Sequence, residues 1–387
     1  MARPFLTLPT RFRRNMLRRL KYFIRIAVTF IYFKLPFTIR KRIGFLYYKL
    51  PFSQIPSAIY SLLSEDPPII YTAISWGSME DSEKFHNKWE HVFHHFKNRS
   101  AYFFCSWWWY TEYDHQITLI RNFEDHHALP FPKHRFIHLC NTLEQEKAFQ
   151  KKGLQAVFVN HNCLVDEKIF RPISSVKKLF DAIYDARLVK WKRHYLAQNL
   201  SSLAFLYYSV PGLDNKEEID QVKCTFPWVH YFNHTPDGSY KILTAEEVAI
   251  ALNSCRVGLC LSQMEGAMYA SIQYLLCGLP VVSTRSQGGR DVFFDPACVE
   301  IVDDDPVSVR QGVIKQLDNS LTPWEIREKT LRKVYQHRER FQALIQHIYQ
   351  IEGSHKSIAE DWPKVFFHKC LTKQYTSNVC QRLKVVS

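Results

Sequence analysis

VGLCLSQMEGAMYASIQYLLCGLPVVST, residues 257–284, reads as a buried strand, a turn, a helix, a second turn and another strand. Val257–Ser262 is a short apolar run, and the helical segment Met268–Cys277 is closed by Gly278. Leu-Pro-Val-Val then starts a strand at Pro280–Ser283. Gly266, Ala267 and Met268 lie where the helix opens, so their backbone amides form a positive helix end that suits a diphosphate. Gly288 and Gly289 follow in a loop, where glycine lets the backbone approach a ligand closely.

The same alternation extends in both directions. Upstream, Leu179–Tyr184, Leu203–Ser209 and Trp228–Phe232 read as strands; Trp191–Asn199, Lys216–Lys223 and Thr244–Ser254 read as helices. Thr244 and Glu247 have capping-box spacing. With Val299–Val302 these segments make a six-stranded, doubly wound α/β unit. A first series of strands and helices begins at residue 68 and ends near Val159. Asp166–Lys178, with Pro172 and two serines, reads as a linker. Pro306–Asn319 and Pro323–Ile351 read as helices. The expected division is a basic arm over 1–50, a first domain over 51–172, a second over 173–322, and helices over 323–387 that pack back on the first.

The bulk numbers fit that division. The chain has 387 residues, 46% hydrophobic and 15% aromatic, enough for two folded domains and too apolar for general disorder. Its net charge of +14 is local: residues 1–50 carry thirteen Lys and Arg and no Asp or Glu, leaving the rest at +1. Large apolar residues such as Phe23, Ile26, Phe30 and Phe33 are interleaved with this charge. The uncharged run Ile26–Phe33 is far shorter than the roughly 20 residues a membrane span needs. The arm therefore reads as a segment lying in an anionic membrane interface, with a basic helix packed on the body as the alternative. No nucleic-acid-binding signature follows it. The ten cysteines include no Cys-x-x-Cys pair, and several sit in apolar runs, as reduced core thiols do in a cytoplasmic protein.

The quoted stretch resembles the donor-site signature of retaining glycosyltransferase family 4, approximately Glu-Gly-x-Gly-x-x-x-x-Glu-Ala-x-x-x-Gly-x-Pro-Val-Val. Glu265 matches the first glutamate, Gln273 stands in place of the second, and Gly278, Pro280, Val281 and Val282 match the stop and strand. A second family feature, Arg-x-x-x-x-Lys after a strand, is matched by Arg187 and Lys192. Asn162, Asp166, Phe170 and Pro172 lie in a stretch similar to the family's bridge between domains. Gln273 replaces a carboxylate, and Met268 stands where the family usually has a second glycine.

The resemblance implies a GT-B fold, two Rossmann-like doubly wound domains facing a cleft. It further implies a retaining, metal-independent enzyme of hexosyltransferase type that uses a nucleotide sugar as substrate, with no cofactor. Arg187 and Lys192 would meet the diphosphate, where the leaving group gathers negative charge. Glu265 would act catalytically beside the donor sugar, and Gln273 would meet the ribose hydroxyls. Gly266, Ala267, Met268, Gly288 and Gly289 complete the expected donor site. The acceptor would be a polysaccharide or lipid-linked carbohydrate, reached from the cytoplasmic side of a membrane. The alternative is an inactive relative that binds carbohydrate or a partner.

Two further groups are candidates on the acceptor side. Trp107 and Trp108 end a first-domain strand and would suit stacking on sugar rings, with buried core as the alternative. His126 and His127 are expected in a loop near the interdomain side, beside the alternative of a hydrogen-bonded histidine. Asp303–Asp305 precede Pro306 and read as a helix cap, so no metal is assigned.

Overall fold

A computed structural model describes residues 59–74, 89–90, 92–209, 214–366 and 373–375, with scattered positions between 24 and 46. Two six-stranded sheets organise the chain. The first holds β1 (Ile59–Glu65), β2 (Pro68–Ile74), β3 (Ala101–Trp107), β4 (His134–Cys140) and β5 (Ala156–Phe158). β2 to β5 are parallel neighbours in chain order, and β1 runs antiparallel to β2.

Successive residues of a strand face opposite sides of a sheet, and β3 uses both sides for core. Phe103, Cys105 and Trp107 join Ile117, Ile120 and Phe149, from α1 (Asp114–Ala128) and α2 (Leu143–Lys151). Tyr102 and Phe104 join a different core, together with Phe341 and Ile345.

The second sheet is parallel throughout. Its strands are β6 (Phe180–Asp185), β7 (Leu203–Leu206), β8 (His230–Tyr231), β9 (Cys255–Cys260), β10 (Val281–Thr284) and β11 (Val299–Val302). They lie in the order β11-β10-β9-β6-β7-β8. Among the described residues three helices connect them, α3 (Lys216–Thr225), α4 (Ala245–Asn253) and α5 (Tyr269–Leu276), and α6 (Pro306–Leu317) follows β11. The chain builds outward from β6 to β8, then returns to the other side of β6 at β9. This reversal between β6 and β9 marks the place beyond the strands' carboxyl ends where such sheets form a ligand crevice.

α7 (Pro323–Ile351) ties the two halves together, and α8 (Ile358–Val365) follows it. Thr322 and Glu325 form a capping box at its start. Near that end Arg327 donates to the Leu276 carbonyl at 2.9 Å, on the second domain. Farther along, Arg338 donates to the Cys163 carbonyl at 2.7 Å and pairs with Glu167, and Phe341 packs on Phe104. Beyond α8, β12 (Lys373–Tyr375) pairs antiparallel with β1 at the edge of the first sheet.

Several expectations change. Among the described residues only the second sheet is doubly wound. The first winds one way, and α7 covers its other face. The helix expected over Trp191–Asn199 is two 3-10 turns, Lys190–Lys192 and His194–Ala197, separated by Arg193 at φ 54°. A left-handed residue cannot continue a right-handed helix. His126 and His127 belong to α1, not to a loop. The expectation for residues 1–50 falls largely outside the described residues. Of those described there, Phe30 and Ile31 are exposed, whereas the Tyr32 hydroxyl donates to buried Glu90 at 2.7 Å. Among the described residues no helix is long and apolar enough to cross a membrane.

Candidate functional site

The reversal in the second sheet brings two distant parts of the sequence together. Beyond β6 the chain carries Arg187 and then Lys192, whose backbone is fixed because the Tyr184 hydroxyl donates to its carbonyl at 2.6 Å. Beyond β9 the chain carries Glu265. Its amide donates to the Gln287 carbonyl at 3.0 Å, which laces this loop to the segment after β10. The Lys192 ammonium pairs with the Glu265 carboxylate, and both side chains are buried. Taking both charges out of water is tolerable only because each neutralises the other.

Further groups line the same crevice. Arg187 pairs with Asp214, its Nε at 3.0 Å from Oδ1. Although its ring stands half exposed, partial loss of solvation raises the Tyr208 phenol above its usual range; Arg187 opposes that shift, while Asp185, Glu265 and Asp214 add to it. Asp185, at the tip of β6, is pushed up to about 7 by loss of solvation, against the pull of Lys192. The crevice thus sets two cations among three carboxylates, one of which takes up a proton close to neutrality.

The amino end of α5 lies beside Glu265. Met268 is its N-cap at φ 54°, ψ 92°. The methionine thus adopts a positive-φ backbone of the kind glycine takes readily, at a strain cost of about 1–3 kcal/mol. Asn162 holds it there, its amide Nδ2 donating to the carbonyls of Ala267 at 2.6 Å and Met268 at 3.1 Å. Gln273 projects from α5, partly exposed and with no side-chain hydrogen bond among the described residues.

The glycines have another use than expected. A Cβ at Gly266 would lie 2.5 Å from the Trp108 carbonyl carbon, and one at Gly289 would lie 2.6 Å from both Asn141 Cβ and Asn160 Nδ2. Their missing side chains let the two domains touch, and the close approach is to protein backbone and side chains. Asn160 Nδ2 donates to the Gly289 carbonyl at 2.8 Å across the same seam. Gly288, at φ 93°, supplies the turn that aims this loop.

On the acceptor side the outcome is mixed. Trp108 is exposed beside the seam, and Trp109 sets its ring edge-to-face on Trp191 at 5.0 Å. Trp107 is fully buried, stacked on His138 at 5.5 Å, so it belongs to the core. His126 and His127 lie in the last turn of α1. His127 bonds His134, at the amino end of β4, at 3.0 Å. They therefore sit at the opposite end of the first sheet from the Trp107 tip of β3, away from the seam. His161 is buried against Ser106 and Tyr269, and burial lowers its pKa to about 4.

Arg290, Asp214, Asp185 and Trp191 were not among the candidates. Arg290 is fully buried and donates to the carbonyls of Cys260 at 3.1 Å and Ser262 at 2.6 Å, and to Ser283 Oγ at 2.7 Å. It clamps the ends of β9 and β10, and its place directly after Gly288-Gly289 was the one available signal. Among the described residues no group of three or more His, Cys, Asp or Glu side chains is placed to hold a metal ion.

Two α/β domains thus meet along a seam, with a helix that returns from the second to the first. No family model matches it, and no curated protein does. Among solved structures it is similar to Anabaena HepE in complex with UDP. That match has 10% identity and a TM-score of 0.48, covering 72% of this chain and 78% of that one. A sucrose-phosphate synthase from Thermosynechococcus elongatus gives 14% and 0.48, covering 71% and 78%. A glycosyltransferase from Rickettsia africae gives 11% and 0.49, covering 73% and 82%.

Proposed function

We propose that the chain transfers a sugar from a nucleotide-diphosphate sugar to a carbohydrate or lipid-linked acceptor, retaining anomeric configuration and using no metal. The Lys192–Glu265 pair carries this reading. It joins the two matched motifs, 73 residues apart, at the chain reversal where a parallel sheet binds ligands. A diphosphate arriving there competes with Glu265 for Lys192 and with Asp214 for Arg187. The freed Glu265 carboxylate is then beside the donor sugar, placed to steady positive charge as the glycosidic bond breaks. Gln273, able to donate and accept, is placed for ribose hydroxyls. Exposed Trp108 offers the acceptor a stacking face. Residues 1–50 hold the protein on the cytoplasmic face of an anionic membrane, close to a lipid-linked acceptor.

A second reading has its own observation: both candidate phosphate cations are already paired, as in a relative that keeps the fold without turnover. The test is thermal stabilisation of the full chain by uridine, guanosine and adenosine diphosphates. Stabilisation by one of them, lost in the Arg187→Ala/Lys192→Ala variant, supports the donor site. No response to any removes it. Release of nucleotide from a matching nucleotide sugar then separates the enzyme from the inactive relative.

A further inference from the structure

We infer that Trp109, on the first domain, is a positioning residue for Lys192 and couples donor binding to contact between the domains. The inference rests on the donor-site reading above. Lys192 Nζ lies 4.2 Å from the centre of the Trp191 ring, over its face, with the Glu265 carboxylate as its ionic partner. The lysine backbone is anchored by Tyr184 and by its own N–H to the Val189 carbonyl at 3.0 Å. Only its flexible four-carbon stem remains to be set, and Trp191 is the wall against which it lies.

Trp191 is itself partly exposed, on a short 3-10 turn. Its ring is braced by Trp109, at 5.0 Å and 87°. Trp109 is held in turn because its backbone packs against Gly266, where a Cβ would fall 2.8 Å from the Trp109 nitrogen. One first-domain residue therefore touches both halves of the donor crevice, the loop after β9 with its backbone and the turn after β6 with its ring. Parting the domains would withdraw the brace and leave the ammonium free to swing from its place.

The test is calorimetric titration of the full chain with the diphosphate that stabilises it best. The variants are Trp109→Ala, Trp109→Leu, Trp109→Phe, Lys192→Met and the tryptophan–lysine doubles. Trp109→Ala should weaken binding about three- to tenfold, as expected for loss of one aromatic brace, and Trp109→Phe should restore most of it. In the Lys192→Met background the same tryptophan change should cost nothing further, because the residue acts through that lysine. Trp109→Leu keeps apolar bulk at the seam and reads the same coupling if the alanine variant does not fold. Losses that simply add, or a Trp109 variant that binds like the parent, overturn the inference while the donor site stands. A parent chain that binds none of the three diphosphates overturns the donor reading and this inference with it.

Discussion

The backbone N–H of Asp185 donates to the Tyr274 hydroxyl at 2.6 Å, fastening the tip of β6 to α5. That bond holds the Asp185 carboxyl in a poorly solvated place, with a pKa of about 7 against about 3.9 for an unfolded aspartate. Between those values the folded chain keeps a proton that the unfolded chain has released. The resulting stability is complete below about pH 4 and is lost as pH rises through about 7. Asp185→Asn, which cannot ionise, should therefore gain on the parent as pH rises. The gain should be on the order of 3 kcal/mol between about pH 5 and about pH 8. Urea unfolding of both proteins at the two pH values measures it, and a gain independent of pH would contradict it.

The Lys192–Glu265 pair makes a different demand. Removing one buried partner strands the other charge, at a cost of about 3–5 kcal/mol, whereas replacing both with apolar groups is close to neutral. Lys192→Met should therefore be markedly less stable than the parent, and Lys192→Met/Glu265→Leu should recover most of the loss. Denaturation midpoints give the order of the three proteins.

At the seam, Gly266→Ala would drive a methyl group into the Trp108 backbone. Backbone on both sides leaves no flexible side chain to yield, so relief must come from moving the domains apart. Small-angle scattering should show a larger radius of gyration for Gly266→Ala than for the parent. Unchanged scattering with wild-type nucleotide binding would show that the seam is loose in solution.

The thirteen basic residues and no acidic ones in positions 1–50 lead to a prediction about membranes. Attraction to an anionic leaflet contributes about 1 kcal/mol per charge near the surface and is screened by salt. The full chain should float with anionic liposomes, less so at high salt, and a chain lacking residues 1–50 should not. Equal flotation of the two would place the membrane contact elsewhere.

Much of the second domain was legible because its signals are local. Apolar runs bounded by turns mark all six strands, and the Thr244–Glu247 box was visible as a spacing. The helix Asp114–Ala128 was missed for the opposite reason: Tyr113 at its N-cap contributes no side-chain bond. β1 and β12 are partners 310 or more residues apart, and nothing local to either announces the pairing. The site shows the same division. Arg187, Lys192 and Glu265 stood in recognisable spacings. Asp214 and Asp185 gain their roles only from the sheet order that gathers them, and Trp191 only from the domain that leans on it.

β12 closes the edge of the first sheet with residues that are translated long after the rest of that sheet. During synthesis β1 therefore waits with one row of backbone donors and acceptors uncovered while the whole second domain is made. At ordinary elongation rates that is an interval of tens of seconds. Such an open strand is a template for pairing with another chain. Until β12 is made, burial of that bare strand is left to chance encounters, and its masking bears on the yield of folded chain independently of any residue of the crevice.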